Sequence, residues 1–376
     1  MEVVQGRTRL DLRQRLGDLD LQHEPASWMR SLATDGFDQL PQPGSGQTLQ
    51  RWQALAEVAS HDLSLAKLYE GHTDALAILR ELNCQLPHQP PHQLPLPDAM
   101  PSAVSAPAVW GVWAADVPSA RVVIQPDHSG DPAGDDRVRI SGLKCWCSGA
   151  ESVTHGLLTA WHADGRGPQL VAVSMQQAGI SVRSEAWQAV GMCGSASVDL
   201  MFDGAQAQLV GKVGDYLARP GFWQGGAGIA ACWHGGALFL ASTLLRAYAR
   251  SAGSEGQSSQ TAFRGAALGR VDIELRANAA LLREAAQWID AHPAGDASEI
   301  ALRVRLRAES AAKAVLESVG AALGASPFCS DARFARMAAD LPVFIRQSHA
   351  ERDFAALGEL VGRGGIGGTG GAAWTL

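Results

Sequence analysis

The sequence has no long block of like charge. Its 38 Asp and Glu and 31 Lys and Arg are dispersed over 376 residues and leave a formal charge of −7. Nucleic acid is therefore not expected as a partner, because phosphate binding needs a clustered basic face. An anionic small molecule in a local basic pocket remains compatible with this charge. Met1–Gly17 is charged and has no apolar core segment, so a signal peptide is not expected there. Cysteine is sparse: Cys84, Cys145, Cys147, Cys193, Cys232 and Cys329 are scattered, and no second pair lies near Cys145-x-Cys147 at zinc-ligand spacing. They are expected as small packing residues of a reduced, cytoplasmic protein with no metal site. Strand alternation would put Cys145 and Cys147 on one face and Trp146 on the other. Pro220–Leu245 has no Asp, Glu, Lys or Arg. Its many Gly and Ala residues, with Gln224 and His234, fit a helix buried between helices better than a bilayer span. No internal repeat is visible.

What is present is a change of period along the chain, long enough for several layers around sizeable cores. Leu49–Ser60 and Ser64–Leu82 carry apolar residues at helical spacing. Cys84–Pro107 is Pro-rich and reads as a linker or wrapping loop. From Ala108 to Leu217 the period becomes two: Arg121–Gln125, Arg137–Ile140, Gly156–Trp161, Leu170–Ser174 and Ser197–Phe202 read as strands of a barrel or sandwich. Then Trp223–Ser251, Ala266–His292, Ser298–Leu323 and Ala332–Leu360 read as four helices, broken at Gly253–Gly256, His292–Gly295 and Gly324–Pro327. The expected class is α+β. A helical domain with its Pro-rich linker spans 1–107, a central β-domain 108–218, a four-helix bundle 219–361 and a mobile Gly-rich tail 362–376.

The most informative stretch is Val138–Ala150, an alternating strand that ends in a turn of small residues. A Trp, a hydroxyl residue and a Gly sit together at that end. The arrangement suits a flat ring with polar edges: the indole covers a face, and Ser148 and nearby backbone N–H groups bond the edge. The alternative is a buried strand whose Trp fills the core.

The same stretch resembles the acyl-CoA dehydrogenase family, which carries a strand with an apolar residue, Gly, Lys, Trp and a hydroxyl residue followed by small residues. Ile140, Gly142, Lys144, Trp146, Ser148 and Gly149 fall on it. Val190–Asp203 resembles the family's G-x-R-x-S-x-T-x-x-L-x-F-D segment, and Leu209–Gly211 its L-L-G. The order helical, β, four-helix is also the family's. The resemblance implies FAD between the β-domain and the bundle, near the boundary of a homodimer or homotetramer, with Trp146 and Ser148 against the flavin. It implies α,β-dehydrogenation of an acyl thioester such as an acyl-CoA, with electrons passed to an electron-transfer flavoprotein.

Other family positions are eroded. In the pyrophosphate loop, Val112–Ala120, Ser119 alone keeps a hydroxyl, and it reads equally as an ordinary turn serine. Arg264 lies where the family clamps the diphosphate, though an Arg at a helix entry is as readily solvated. Counting from Asp340 puts Ser348 at the family's catalytic Glu, and the other familiar position, in Gly221–His234, holds no carboxylate. His349 and Glu351 are the replacement bases, unless Arg346–Asp353 is only a salt-bridged helix face. The Trp-rich Phe222–His234 either lines an acyl or aromatic pocket or packs tightly between helices. A missing Glu also occurs in relatives that are flavin-dependent monooxygenases, supplied by a flavin reductase, and a degenerate binding or assembly protein is the third alternative.

Overall fold

The computed structural model describes residues 9–19, 24–82, 107–126, 136–252 and 259–366. Most of the Pro-rich linker, Cys84, the Gly253–Gly256 break and residues 367–376 of the tail lie outside them. The chain divides into two compact units, Met1–Leu40 with Ser64–Phe222, and Pro41–Leu63 with Trp223–Leu376. This departs from the expected boundaries, because the N-terminal helices do not form a unit of their own.

In the first unit, α1 (Arg9–Gly17), α2 (Pro25–Thr34) and most of α4 (Leu63–Glu81) accompany the β-domain. Its strands are β1 (Trp110–Trp113), β2 (Val122–Pro126), β3 (Arg137–Cys147), β4 (His155–His162), β5 (Pro168–Ser174), β6 (Ile180–Arg183) and β7 (Val198–Val210). The order β4-β2-β3-β7-β5 closes on itself because β5 also pairs with β4. A barrel results, with β1 added to β4 and β6 to β7. Closure removes the open edges that a sheet of this length would expose. Ala75, Leu76, Ile78 and Leu79 of α4 bury against Trp110, Leu157, Leu170 and Val210. Each large aliphatic side chain buried this way contributes about 1.5–3 kcal/mol. His72 of α4 fixes β1: its Nδ1 accepts the Trp110 N–H at 3.1 Å, so its Nε2–H donates to Asp38 at 3.1 Å.

In the second unit, α3 (Thr48–His61) joins the C-terminal helices. After a short α5 (Asp215–Ala218), which still belongs to the first unit, come α6 (Gly221–Ala252), α7 (Ser259–Ala291), α8 (Ser298–Leu323), a short α9 (Ser326–Ser330), α10 (Ala332–Phe344) and α11 (Glu351–Ile366). The Asp290 carboxylate of α7 accepts the Thr48 N–H at 3.0 Å and the Thr48 hydroxyl at 2.6 Å, which anchors the start of α3. A Cβ on Gly235 would stand 2.2 Å from the Ala56 carbonyl oxygen, so α3 and α6 touch backbone to backbone only because that position is glycine. Trp233 is fully buried, so this part of the Trp-rich stretch is helix packing and not a pocket wall. Among the described residues α6 is long and apolar enough to cross a membrane, and 67% of its most apolar stretch is buried inside the protein, as in a core helix.

Two expectations need correction here. The helix expected over Ala332–Leu360 is two helices: Pro342 ends the regular ladder, Ile345–Gln347 tighten into a 3₁₀ turn, and Ala350 takes a φ of 47°. Residues 362–366, expected as part of a mobile tail, are instead the end of α11, which runs to Ile366.

Candidate functional site

The site is built where β3 ends. Its ladder with β7 slips twice, between Ile140 and Gly142 and between Lys144 and Cys147. These bulges break the alternation expected along the strand. Lys144 turns inward, and its Nζ donates to the Ala115 carbonyl at 2.9 Å, the Thr159 carbonyl at 3.2 Å and the Thr159 hydroxyl at 2.8 Å. Burial brings the Lys144 ammonium down to about 8. Cys147 is also buried, whereas Cys145 is half-buried and its thiol donates to Asp199 at 3.4 Å. The two cysteines do not share a face as alternation implied.

Between them stands Trp146, the reverse of a core residue. Its side chain is 60% exposed, its φ is 59°, and its N–H donates to the Asp199 carboxylate at 3.2 Å. A left-handed conformation costs a bulky L-residue about 1–2 kcal/mol. Such strain persists where the surroundings over-determine it, and it concentrates at functional sites. Among the described residues the non-glycine positions with positive φ are Trp146, Met192, Ala196 and Ala350. The first three meet at this one corner, and the fourth follows His349.

The two motif stretches read from the sequence come together here. The Gly149 N–H donates to the Ser195 carbonyl at 2.9 Å, and Gly149 has a φ of 71° with Leu68 packed over the place of a Cβ. The hydroxyls of Ser148 and Ser197 are 2.7 Å apart, those of Ser197 and Ser195 are 3.0 Å apart, and Ser195 donates to the Met192 carbonyl at 2.8 Å. Trp113, at the end of β1, donates its indole N–H to the Ser148 carbonyl at 3.1 Å. Ser195, Ser197, Asp199 and Trp113 were not singled out by sequence reasoning. The S-x-S spacing before β7 was the available signal.

The remaining candidates belong to other elements of the chain. Ser119 is exposed in the turn closed by the Ala120 N–H to Val117 carbonyl bond. Arg264, near the start of α7, donates to the Ser251 hydroxyl and, at 3.4 Å, to the Ala247 carbonyl at the end of α6. It is engaged within its own bundle and not simply solvated. His349 is 57% exposed and pairs with Asp353 across 3.3 Å, and Asp353 also accepts the His349 N–H at 3.0 Å. Glu351 is exposed at the start of α11. This is the salt-bridged helix start weighed as the alternative. Ser348 is buried, and its side chain reaches a carboxylate that the sequence did not flag, Glu309 of α8. Arg346 and Lys313 donate to Glu309 at 2.7 and 2.5 Å. Burial alone would raise the Glu309 carboxyl, but these bonds and the neighbouring charges hold it below the usual range. No group of three His, Cys, Asp or Glu that could hold a metal occurs among the described residues.

Against a flavin, the residues at the β3 corner fit. An exposed indole offers a stacking face, and a half-buried hydroxyl offers an edge contact. For the adenosine diphosphate half of FAD, Ser119 stands exposed in its turn, and Arg264 bonds Ser251 and Ala247 through one terminal nitrogen while its buried Nε has no partner.

A closed barrel accompanied by N-terminal helices and followed by a long-helix bundle defines the acyl-CoA dehydrogenase-like fold, as the sequence resemblance implied. No protein-family model matches the chain, and no curated protein matches it by sequence. Solved structures do. The complex of KijD3 with FMN and dTDP-3-amino-2,3,6-trideoxy-4-keto-3-methyl-D-glucose superposes with a TM-score of 0.73 at 20% identity, covering 94% of this chain and 92% of that one. The complex of TdsC from Paenibacillus sp. A11-2 with FMN and indole gives 0.69 at 20%, covering 93% of each chain. TdsC is a dibenzothiophene monooxygenase. The nitrososynthase from Micromonospora carbonacea var. africana gives 0.72 at 16%, covering 96% and 94%. At these identities the likeness is one of fold.

Proposed function

We propose that the protein is a flavin-dependent monooxygenase that uses FMN in preference to FAD and receives it reduced from a separate flavin reductase. The observation that carries this reading is the β3 corner, where strain at Trp146, Met192 and Ala196 holds an exposed indole beside the Ser148 hydroxyl. Bound reduced flavin supplies the two electrons with which oxygen places one atom on a substrate and leaves the other as water. The chain's own residues do the rest: Trp146 stacks, Ser148 orients the ring edge, and Asp199 and Gly149 hold both in place. The comparison proteins support the reading, since KijD3 and TdsC are solved with FMN and TdsC is a monooxygenase.

Dehydrogenation of an acyl thioester, placed first by the sequence, becomes the second reading. It needs a carboxylate base free to take the α-proton. Ser348 occupies the family position, and Glu309 beside it is committed to Lys313 and Arg346. A cytoplasmic homodimer or homotetramer is part of the proposal. The test is direct. Purified protein with reduced FMN should consume oxygen and oxygenate a small aromatic or amine substrate, and should not reduce a dye with acyl-CoA. Dye reduction by acyl-CoA without oxygen would reverse the order of the two readings.

A further inference from the structure

The serine chain at the β3 corner has a direction. A carbonyl can only accept, so the Ser195 hydroxyl spends its single proton on the Met192 carbonyl at 2.8 Å. The 3.0 Å contact between Ser195 and Ser197 then requires the proton of Ser197. The 2.7 Å contact between Ser197 and Ser148 requires in turn the proton of Ser148. One arrangement satisfies all three contacts: Ser148 to Ser197 to Ser195 to Met192. Ser195 and Ser197 are buried, at 1% and 8% exposure, so water does not compete for these bonds. Ser148 is left with lone pairs alone to offer a ligand.

This matters for a flavin because its N5 changes character on reduction. Oxidised N5 is a bare acceptor, and reduced N5 carries a hydrogen. An acceptor-only hydroxyl repels the first and bonds the second. Resting on the flavin placement proposed above, we infer that Ser197 and Ser195 are positioning residues that fix Ser148 as an acceptor toward N5, and so make the site select reduced over oxidised flavin. Such a site takes up flavin delivered in the reduced state and releases it once oxidised.

The experiment measures the dissociation constants of reduced FMN, under anaerobic conditions, and of oxidised FMN for the intact protein and its variants. Reduced FMN should bind on the order of tenfold more tightly, the size of one hydrogen bond gained against one lone-pair clash. A tenfold ratio raises the two-electron potential of bound flavin by about 30 mV over that of free flavin. Ser197→Ala frees the Ser148 proton, so the ratio should collapse toward one. Ser197→Thr, which keeps the hydroxyl, should restore it. Ser195→Ala removes the anchor further along and should also shrink the ratio, which gives an independent reading if Ser197→Ala misfolds. A merely structural role would weaken both oxidation states alike. Flavin bound with an unchanged ratio in Ser197→Ala and Ser195→Ala would overturn the directed chain and leave the flavin site standing. No binding of either form by the intact protein would overturn both.

Discussion

Replacing Trp146 by Gly and, separately, by Ala isolates what its backbone costs from what its ring binds. Both variants lose the same indole, so its remaining packing cancels between them. What differs is the backbone at a φ of 59°. Alanine pays about 1–2 kcal/mol to sit there and glycine pays nothing comparable. Glycine gives back about 0.5–1 kcal/mol through the greater freedom of its unfolded chain. The Gly variant should therefore be more stable than the Ala variant by about 0.5–1 kcal/mol. At an ordinary strand position the order is the opposite. Urea unfolding without flavin, followed at equilibrium, measures the difference through the transition midpoints. Flavin binding should weaken to a similar extent in both variants. Losing an aromatic stacking partner costs about 1–3 kcal/mol, or roughly 5–150-fold in affinity. An Ala variant at least as stable as the Gly variant would mean that the bulge does not hold position 146 left-handed. Flavin affinity retained in both would remove the indole from the site.

Three further outcomes follow from the surroundings. Asp199→Asn removes the charge that, after burial itself, holds the Cys145 thiol above its ordinary value, so Cys145 should react faster with a thiol reagent at pH 8; an unchanged rate would break the link between Asp199 and Cys145. Burial holds His61, His155 and His234 down to about 4, with Arg333 adding to it for His61 and Arg283 for His234. The unfolded chain therefore takes up protons that the folded chain refuses as pH falls from 6.5 to 4; this stability is complete above 6.5 and lost across that window, and His155→Phe should flatten part of the fall in urea midpoint. Glu309 has the depressed carboxyl, so the advantage of the intact protein over Glu309→Gln should be full at neutral pH and shrink as pH falls below 4.5; an advantage that does not change with pH would contradict its pairing with Lys313 and Arg346.

Much of this architecture could be read from residue order. Apolar spacing gave α8 at Ser298–Leu323, matching the structure, and placed α3, α4, α6, β2, β4 and β5 within a few residues, whereas β3 and β7 run well past the stretches read as Arg137–Ile140 and Ser197–Phe202, to Cys147 and Val210. Helical and strand periods are local properties, so they survive without knowledge of partners. Trp110–Trp113 escaped because it is buried along nearly its whole length and does not alternate, and Ile180–Arg183 because it alternates over only four residues, as an exposed edge. The sequence also named Trp146 and Ser148, because a Trp and a hydroxyl two residues apart at a strand end are visible in one dimension. What folding alone decided was their posture. The slip of β3 against β7 turns Lys144 in and Trp146 out, and nothing within β3 encodes it, because it depends on residues some fifty positions later in the chain. The same pairing brings Ser195, Ser197 and Asp199 to the end of β3 and gives its hydroxyl a direction. Hydrogen-bond direction belongs to a closed set of partners, and such a set exists only once the strands have met.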